Sequence, residues 1–304
     1  MMLKTHTELA TYAECPQRHL YSYALGLEPK KPAPALIRGS LVHRALELFY
    51  NTGDAALATA ELDGWVEKER EEYRRFYDED ERYEQDVEWR KLRGLVRAYL
   101  EKAAPWDLQE YSVVGNEHEF KFEAGPGRFF GGKVDGLFVE NATGRLVLFE
   151  HKYLWDNEGK SAKVRYQPFW YALGLLRDPE LGVKVSEICH NLLKRPHLRL
   201  CRGETPRELE ERVYKDAMAR PQEYVRRVKV EVTQQSLAEA ERALLTLYER
   251  SMEGPEKRYR NEGPNCERRC PFVEICFEPD SSPERIEELF RVRERRHPEL
   301  SFSV

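Results

Sequence analysis

The sequence contains no run approaching the roughly 18 uncharged apolar residues that a membrane-spanning helix needs. Between Met1 and Ala10 no positively charged stretch leads into an apolar one, so no secretory leader is expected. Internal repeats and low-complexity tracts are also missing. Nor is there an excess of positive charge: 49 Lys plus Arg face 54 Asp plus Glu, a formal net charge of −5, whereas a simple DNA-binding domain leans basic. These absences predict a soluble, cytoplasmic protein with no membrane partner. Aromatic residues, by contrast, are not scarce. With 16 Tyr, 13 Phe and 5 Trp in 304 residues, 41% of them hydrophobic, the chain has ample material for a core and is not a disordered coil. Six cysteines in a reducing compartment read as metal ligands or core residues rather than disulfides.

The charge that is present is unevenly placed. Glu61 to Arg90 carries 13 acids against 6 bases, and His190 to Lys229 carries 11 bases against 6 acids. An acidic flank beside a basic stripe suits a protein that admits a polyanion along one path, although two ordinary solvated surfaces would give the same counts.

Periodicity orders the chain as helices, then strands, then mixed elements. Residues 3 to 27 read as a helix, and Lys30 to Pro34 as a proline-rich linker. Leu36 to Phe49 forms a helix with Val42, Ala45, Leu46 and Phe49 on its buried face. Asp54 to Lys102 reads as a charged lobe of two or three helices. Glu117 to Glu123, Phe129 to Glu140 and Arg145 to Tyr153 are strand-like. Val164 to Leu176 returns to helix. One or two strands follow in Val183 to Leu200, then a helix at Pro206 to Met218, a strand at Val228 to Val232 and a helix at Ser236 to Met252. The expected class is α/β or α+β around one small sheet.

The second strand pair carries the chemistry. If the loop Asn141-Ala142-Thr143-Gly144 is centred on its middle pair, Asp135 and Glu150 fall directly opposite each other, with Cβ atoms roughly 4.5–5.5 Å apart. Lys152 projects from the same face as Glu150. Two facing acids repel unless a cation lies between them, and the flanking Val134, Leu137, Val147, Leu148 and Phe149 are apolar. The alternative is an exposed edge with a surface salt bridge between Glu150 and Lys152. The functional reading is a hydrolytic site in which the acids bind Mg²⁺ or Mn²⁺ and the lysine positions water and offsets phosphate charge. In Gly39-x-x-x-His43 the glycine would let the helix approach the sheet closely and the histidine reach it. An imidazole there favours Mn²⁺ or a similar ion. Gln167 and Tyr171, one helical turn apart, could hydrogen-bond the lysine or a phosphate. Lys194, Arg195, Arg199 and Arg202, with Arg226, Arg227 and Arg38, form a candidate path for a phosphate backbone, and Trp155, Tyr166 and Trp170 are candidate stacking residues.

Cys266, Cys270 and Cys276 lie close together near the end of the chain, and Cys15-Pro16 echoes Cys270-Pro271. Four thiolates suit a [4Fe–4S] cluster or structural zinc, and a one-plus-three split favours the cluster. Its expected task is to tie the N-terminal helix to the C-terminal tail, with a redox role left open. Cys189 and Cys201 are expected in the core.

Leu9-x-x-Tyr12-x-x-Cys15-Pro16, Gly39-x-x-x-His43, Asp135, Glu150-x-Lys152, Gln167-x-x-x-Tyr171 and the three terminal cysteines occur in the order seen in the RecB-type branch of the PD-(D/E)XK nuclease superfamily. The sequence resembles its iron–sulfur members, among them the AddB nuclease domain, CRISPR-associated RecB-like exonucleases and phage-encoded single-domain versions. The resemblance implies an α/β restriction-endonuclease-like core: a small mixed sheet flanked by helices, with a helical lobe and N- and C-terminal regions stapled by a [4Fe–4S] cluster. Residues 1–304 would be one nuclease domain, comprising 1–35 with the first cysteine, the lobe at 51–110, the core at 111–252 and the cluster-binding tail at 253–304. It implies Mn²⁺ or Mg²⁺ held by His43, Asp135, Glu150 and the carbonyl of His151, with Lys152 the catalytic lysine and Gln167 and Tyr171 completing the site. Cys15, Cys266, Cys270 and Cys276 would hold the cluster. The implied activity is hydrolysis of DNA phosphodiesters, most simply by an exonuclease preferring single strands, in recombination, repair or phage DNA processing. Recombination or CRISPR-type protein partners in a bacterial, archaeal or phage-infected cell would follow. A non-catalytic DNA-binding accessory protein and a structure-specific endonuclease are the competing readings.

Overall fold

The computed structural model describes residues 2–31, 33–155, 166–278 and 282–302. The chain opens with β1 (Met2–Lys4), α1 (His6–Glu14), α2 (Pro16–His19) and β2 (Leu27–Pro29), followed by α3 (Pro34–Thr52), α4 (Ala55–Tyr73), α5 (Glu79–Ala98) and α6 (Ala104–Glu110). Then come β3 (Tyr111–Gly125), β4 (Arg128–Glu140), β5 (Leu146–Leu154), α7 (Gln167–Arg177), β6 (Glu187–Lys194), α8 (Pro206–Ala219), α9 (Pro221–Tyr224), β7 (Val225–Glu231) and α10 (Gln234–Arg250). The tail holds α11 (Pro264–Arg269), α12 (Val273–Phe277), α13 (Pro283–Leu289) and β8 (Phe290–Val292). Among the described residues no helix is long and apolar enough to cross a membrane.

The single helix expected over residues 3 to 27 is broken into several pieces. Residues 2–4 pair as a parallel strand with Arg128–Phe130. Thr5 then caps α1, its side chain accepting a hydrogen bond from the Glu8 amide at 3.4 Å. Pro16 ends that helix, because the residue before a proline is driven out of the helical region: Cys15 is extended (φ −159°, ψ 111°) and caps α2 instead. The expected helix from Val164 begins at Gln167 among the described residues; positions 164 and 165 lie outside them.

The sheet is mixed and organised around β4. Along one edge β4 pairs with β3 over its whole length. Its other edge is shared, with β1 on Arg128–Phe130 and β5 on Gly136–Val139. Residues 131–135 fall in the gap between these two ladders. Beyond β5 the sheet continues through parallel β6 and antiparallel β7. The hairpin register is the one expected from its loop, with Gly136 opposite Phe149 and Leu137 opposite Leu148, and Gly144 takes the left-handed turn position (φ 71°).

Alternation along the strands supplies a core on each face. Val147, Phe149 and Cys189 pack with α3, α4, α5 and α8; Leu148 and Ile188 pack with α1, α7 and α10. Gly174 lets α7 lie directly on β3: a Cβ there would fall 2.1 Å from the Phe120 ring. A third small core of Leu27, Phe272, Ile275 and Phe290, with the β2–β8 ladder, joins the two ends of the chain. Cys189 is buried as expected, but Cys201 is exposed, in a turn where its amide donates to Glu204 Oε2 at 2.8 Å.

Candidate metal centre

Asp135 is the last residue of β4 before the strand pairs with β5, so its carboxylate reaches across the opening between neighbouring strands. Its Oδ2 accepts a hydrogen bond from the His151 amide at 2.8 Å, and its Oδ1 lies 3.1 Å from His43 Nδ1. His43 comes from the middle of α3, one turn after Gly39. The expected role of Gly39 is corrected here. A Cβ at that position would meet nothing within 4 Å, so the glycine does not serve close helix–sheet approach. It lines a groove of about 360 Å³ that is also lined by His43, Lys133, Asp135 and Tyr171.

Glu150 sits one step beyond the paired part of the β4–β5 hairpin, opposite Asp135, and is 1% exposed. The Lys152 ammonium is ion-paired with it. Apart from that ammonium, neither Glu150 oxygen has a hydrogen-bond partner among the described residues. Burial raises the Glu150 pKa; Lys152 opposes the shift and Asp135 adds to it. Asp135 is also buried, yet its pKa is held far below the ordinary value by the charge and hydrogen bond of His43 and by Lys152. His43 is raised in turn, the carboxylate of Asp135 outweighing burial. Two acids of one site are thus pushed in opposite directions, and a cation between them would let both ionise. An imidazole, two carboxylates and an under-coordinated buried oxygen pair fit a divalent ion.

Gln167 starts α7, its Nε2 donating to Tyr171 Oη at 3.2 Å, and the Glu150 carboxylate acts on the Tyr171 phenol, whose pKa burial already raises. The predicted residues His43, Asp135, Glu150, Lys152, Gln167 and Tyr171 are therefore brought together around the gap in the β4 edge.

Two features of the site escape the sequence reading. The first is Glu117, whose neighbours Asn116 and His118 pair with Gly136 and Val134, which puts it opposite Asp135 on the β3 side. It is the one non-glycine residue with positive φ (50°) among the described residues, a conformation costing on the order of 1 kcal/mol or more. Ligand atoms of His43, Glu117 and Asp135 all lie within 4.8 Å of one another. Counting across the Gly125-Pro126-Gly127 turn, as across the later loop, would have found it. The second is a buried chain behind β5. The His151 ring stacks on Tyr50 (5.6 Å, 8° between planes), and its Nδ1 lies 2.9 Å from Asn191 Nδ2. Asn191 in turn donates to Tyr99 Oη at 2.8 Å, and Tyr50 and Arg227 both donate to Asp107. Burial lowers His151 to about 3, so its ring is neutral. This network holds the backbone of the residue that bonds Asp135, and no local pattern marks it, since its bonded partners are 8 to 120 positions apart.

The expected basic path is only partly present. Arg195 turns inward to Glu88 (2.5 Å), Arg227 to Asp107 (2.6 Å), and buried Arg38 donates to Gln85 at 2.7 Å. Their counter-charges and acceptors lie on α5 and α6, far away in sequence, so a local count overstates the free positive charge. Lys194 is half-buried, and Arg199, Arg202 and Arg226 are exposed. Of the aromatic candidates, Trp155 (59%) and Tyr166 (51%) are exposed, but Trp170 is core and donates to the Ala240 carbonyl at 2.8 Å.

Cys15, Cys266, Cys270 and Cys276 line one pocket between the chain's two ends, together with Tyr21 and Phe272. None of the six cysteines is in a disulfide. Burial raises Cys270 and Cys276, and the other sulfurs of the group add to that.

In comparisons with known proteins, the family model of the PD-(D/E)XK nuclease superfamily matches residues 5–277. No curated protein matches the chain.

Proposed function

The chain belongs to the PD-(D/E)XK nuclease superfamily, metal-dependent enzymes that hydrolyse phosphodiesters of DNA, and we propose that it is a single-domain exonuclease preferring single-stranded DNA. The observation that carries this reading is the pairing of Asp135, bonded to His43 and to the His151 amide, with a buried Glu150 whose one ion-pair partner among the described residues is Lys152. His43, Asp135, Glu150 and the His151 carbonyl would hold Mn²⁺ or Mg²⁺. The ion supplies neutralisation of the scissile phosphate and a more acidic bound water. Lys152 would orient the attacking water and offset charge that builds on the phosphate. Gln167 fixes the Tyr171 hydroxyl at the same opening, where it can hydrogen-bond a phosphate oxygen. Exposed Trp155, stacked with the Arg195 guanidinium at 3.8 Å, and exposed Tyr166 offer flat surfaces to unpaired bases, which supports the single-strand preference. Lys194 and Arg199 would meet the phosphate backbone. A place in recombination, repair or phage DNA processing, with partner proteins, belongs to the same reading.

The four cysteines would hold a [4Fe–4S] cluster, as in the iron–sulfur branch. What supports a shared metal group is that the four cysteines, far apart in sequence, line one pocket; the split of one cysteine plus three favours the cluster over zinc. The cluster would brace the chain's ends and take no part in hydrolysis.

The test is incubation of anaerobically purified protein with Mn²⁺ and end-labelled linear single-stranded DNA, beside a circular strand. Loss of the linear substrate alone is expected, and Lys152→Ala should abolish it with the fold intact. Cutting of the circle would favour an endonuclease. Binding without cleavage would favour an accessory protein, and normal cutting by Lys152→Ala would mean the site is misassigned.

A further inference from the structure

Asp135 has two flanks. On the β5 side stand Glu150 and the His151 backbone. On the β3 side stands Glu117, held opposite Asp135 by the flanking pairs Asn116–Gly136 and His118–Val134. Ligand atoms of His43, Glu117 and Asp135 lie within 4.8 Å of one another, a set that does not include Glu150. The two sides also differ in access. Glu150 is buried beneath α7 and does not line the groove, whereas His43, Glu117 and Asp135 all do. Glu117 is only part-buried, and its present partner is the Lys133 ammonium.

From this juxtaposition, and resting on the nuclease reading above, we infer that Glu117 is a metal ligand: with His43 and Asp135 it forms a second, outer divalent-cation site. Asp135 is shared between the two sites, and with both ions bound His43 serves the outer one, which leaves Asp135, Glu150 and the His151 carbonyl to the inner one. The donors are two hard carboxylates and one imidazole, the chemistry for Mn²⁺ or Mg²⁺ with water completing the shell. Hydrolytic sites with two ions space them about 3.5–4 Å apart, which lets one ion face the attacking oxygen and the other the leaving oxygen. A groove-side ion at Glu117 would occupy the more solvent-accessible of the two positions and exchange the faster. Lys133 is then the counter-charge that keeps Glu117 in place until the cation displaces it. The rival explanation is that Glu117 serves only to neutralise Lys133, and the two make opposite forecasts.

The experiment counts bound Mn²⁺ in the full-length protein by loss of the free-ion electron paramagnetic resonance signal, with calorimetric titration for affinity. The wild type is expected to bind two ions per chain. Glu117→Gln should bind one, the outer affinity falling at least tenfold, while Lys133→Gln keeps both. Glu150→Gln should keep the outer ion and lose the inner. Glu117→Asn, a residue at home at positive φ, replaces Glu117→Gln should that variant fail to fold. One ion in the wild type, two in a folded Glu117 variant, or loss of an ion in Lys133→Gln would each overturn the assignment. DNA cleavage measured in parallel separates the two readings. Two ions without cleavage would sink the nuclease and leave this site standing; cleavage with one ion would do the reverse.

Discussion

Glu8 and Glu150 are equally hidden from water, at 0% and 1% exposure, but they keep opposite company. Glu8, on α1, is surrounded by donors: the cations Lys4 (2.9 Å) and Arg296 (2.5 Å), His297 (3.1 Å), whose pKa is raised, and His19 (3.0 Å), whose pKa burial lowers. Burial raises its pKa, yet hydrogen bonds from His19, His297 and Arg296 drive it far below the ordinary 4.5. Glu150 is ion-paired with Lys152 alone among the described residues, has His43 as a more distant positive charge and an acid facing it, and keeps a raised pKa. A buried charge is tolerated when its surroundings compensate it in full. At Glu8 the chain itself does so, joining α1 to the tail at residues 296–297. At Glu150 the compensation is incomplete, and on the proposed reading a metal ion would supply the missing part. The contrast separates a carboxylate that holds the fold from one that holds a ligand.

Neutralising each acid tests that contrast. Glu150→Gln is expected to reduce cleavage by about a thousandfold or more while the melting temperature moves little, since a poorly compensated charge has been removed. Glu8→Gln should do the reverse, leaving its cations uncompensated at a cost of about 3–5 kcal/mol, with cleavage per folded molecule retained. Calorimetry beside an assay on labelled DNA reads both, and a matched loss of stability in the two variants would erase the distinction. The acid limb of stability sharpens it. Because Glu8 has a depressed folded-state pKa, its contribution is fully present above the ordinary carboxylate value and is lost as pH falls toward the folded one. Melting of the wild type should therefore fall more steeply below about pH 4.5 than melting of Glu8→Gln.

Smaller effects are expected away from the two acids. Asn191→Leu removes the bond to His151 Nδ1 and loosens the backbone that meets Asp135; Mn²⁺ affinity should drop by about 10- to 100-fold, while Tyr99 keeps its bonds to Tyr50 and Asp107. Unchanged affinity would mean that the buried network serves the fold alone. The smallest effect is at the groove. Gly39→Ala meets no atom within 4 Å and should stabilise α3 by about 1 kcal/mol at most, so a destabilised variant would restore the close approach that the structure denies.

Legibility followed sequence distance. The β4–β5 register was readable because the period of a strand is two and the turn was marked by Gly144, so Asp135 and Glu150 could be placed opposite each other by counting. His43 and the Gln167–Tyr171 pair were visible at helical spacing. The four cysteines line one pocket; the Cys-Pro pair at Cys15 and again at Cys270 was the pointer to Cys15 as their fourth member. Missed were β1, whose three residues carry no period and whose partner lies more than 120 positions away, and Glu117, hidden inside an alternation that explained it as an ordinary strand residue. The inward turn of Arg38, Arg195 and Arg227 was missed because each is satisfied by a residue on a distant helix.

Local pattern alone settled which residue types face one another across a hairpin or along a helix, because strand and helix periods are properties of the backbone. Tertiary structure decided which charges are compensated. Glu8 meets Arg296 across 288 positions and Arg195 meets Glu88 across 107, while among the described residues Glu150 is ion-paired only with Lys152, two positions on. The cost of a buried charge depends on every group within a few ångströms, and the chain brings those groups together only when it folds.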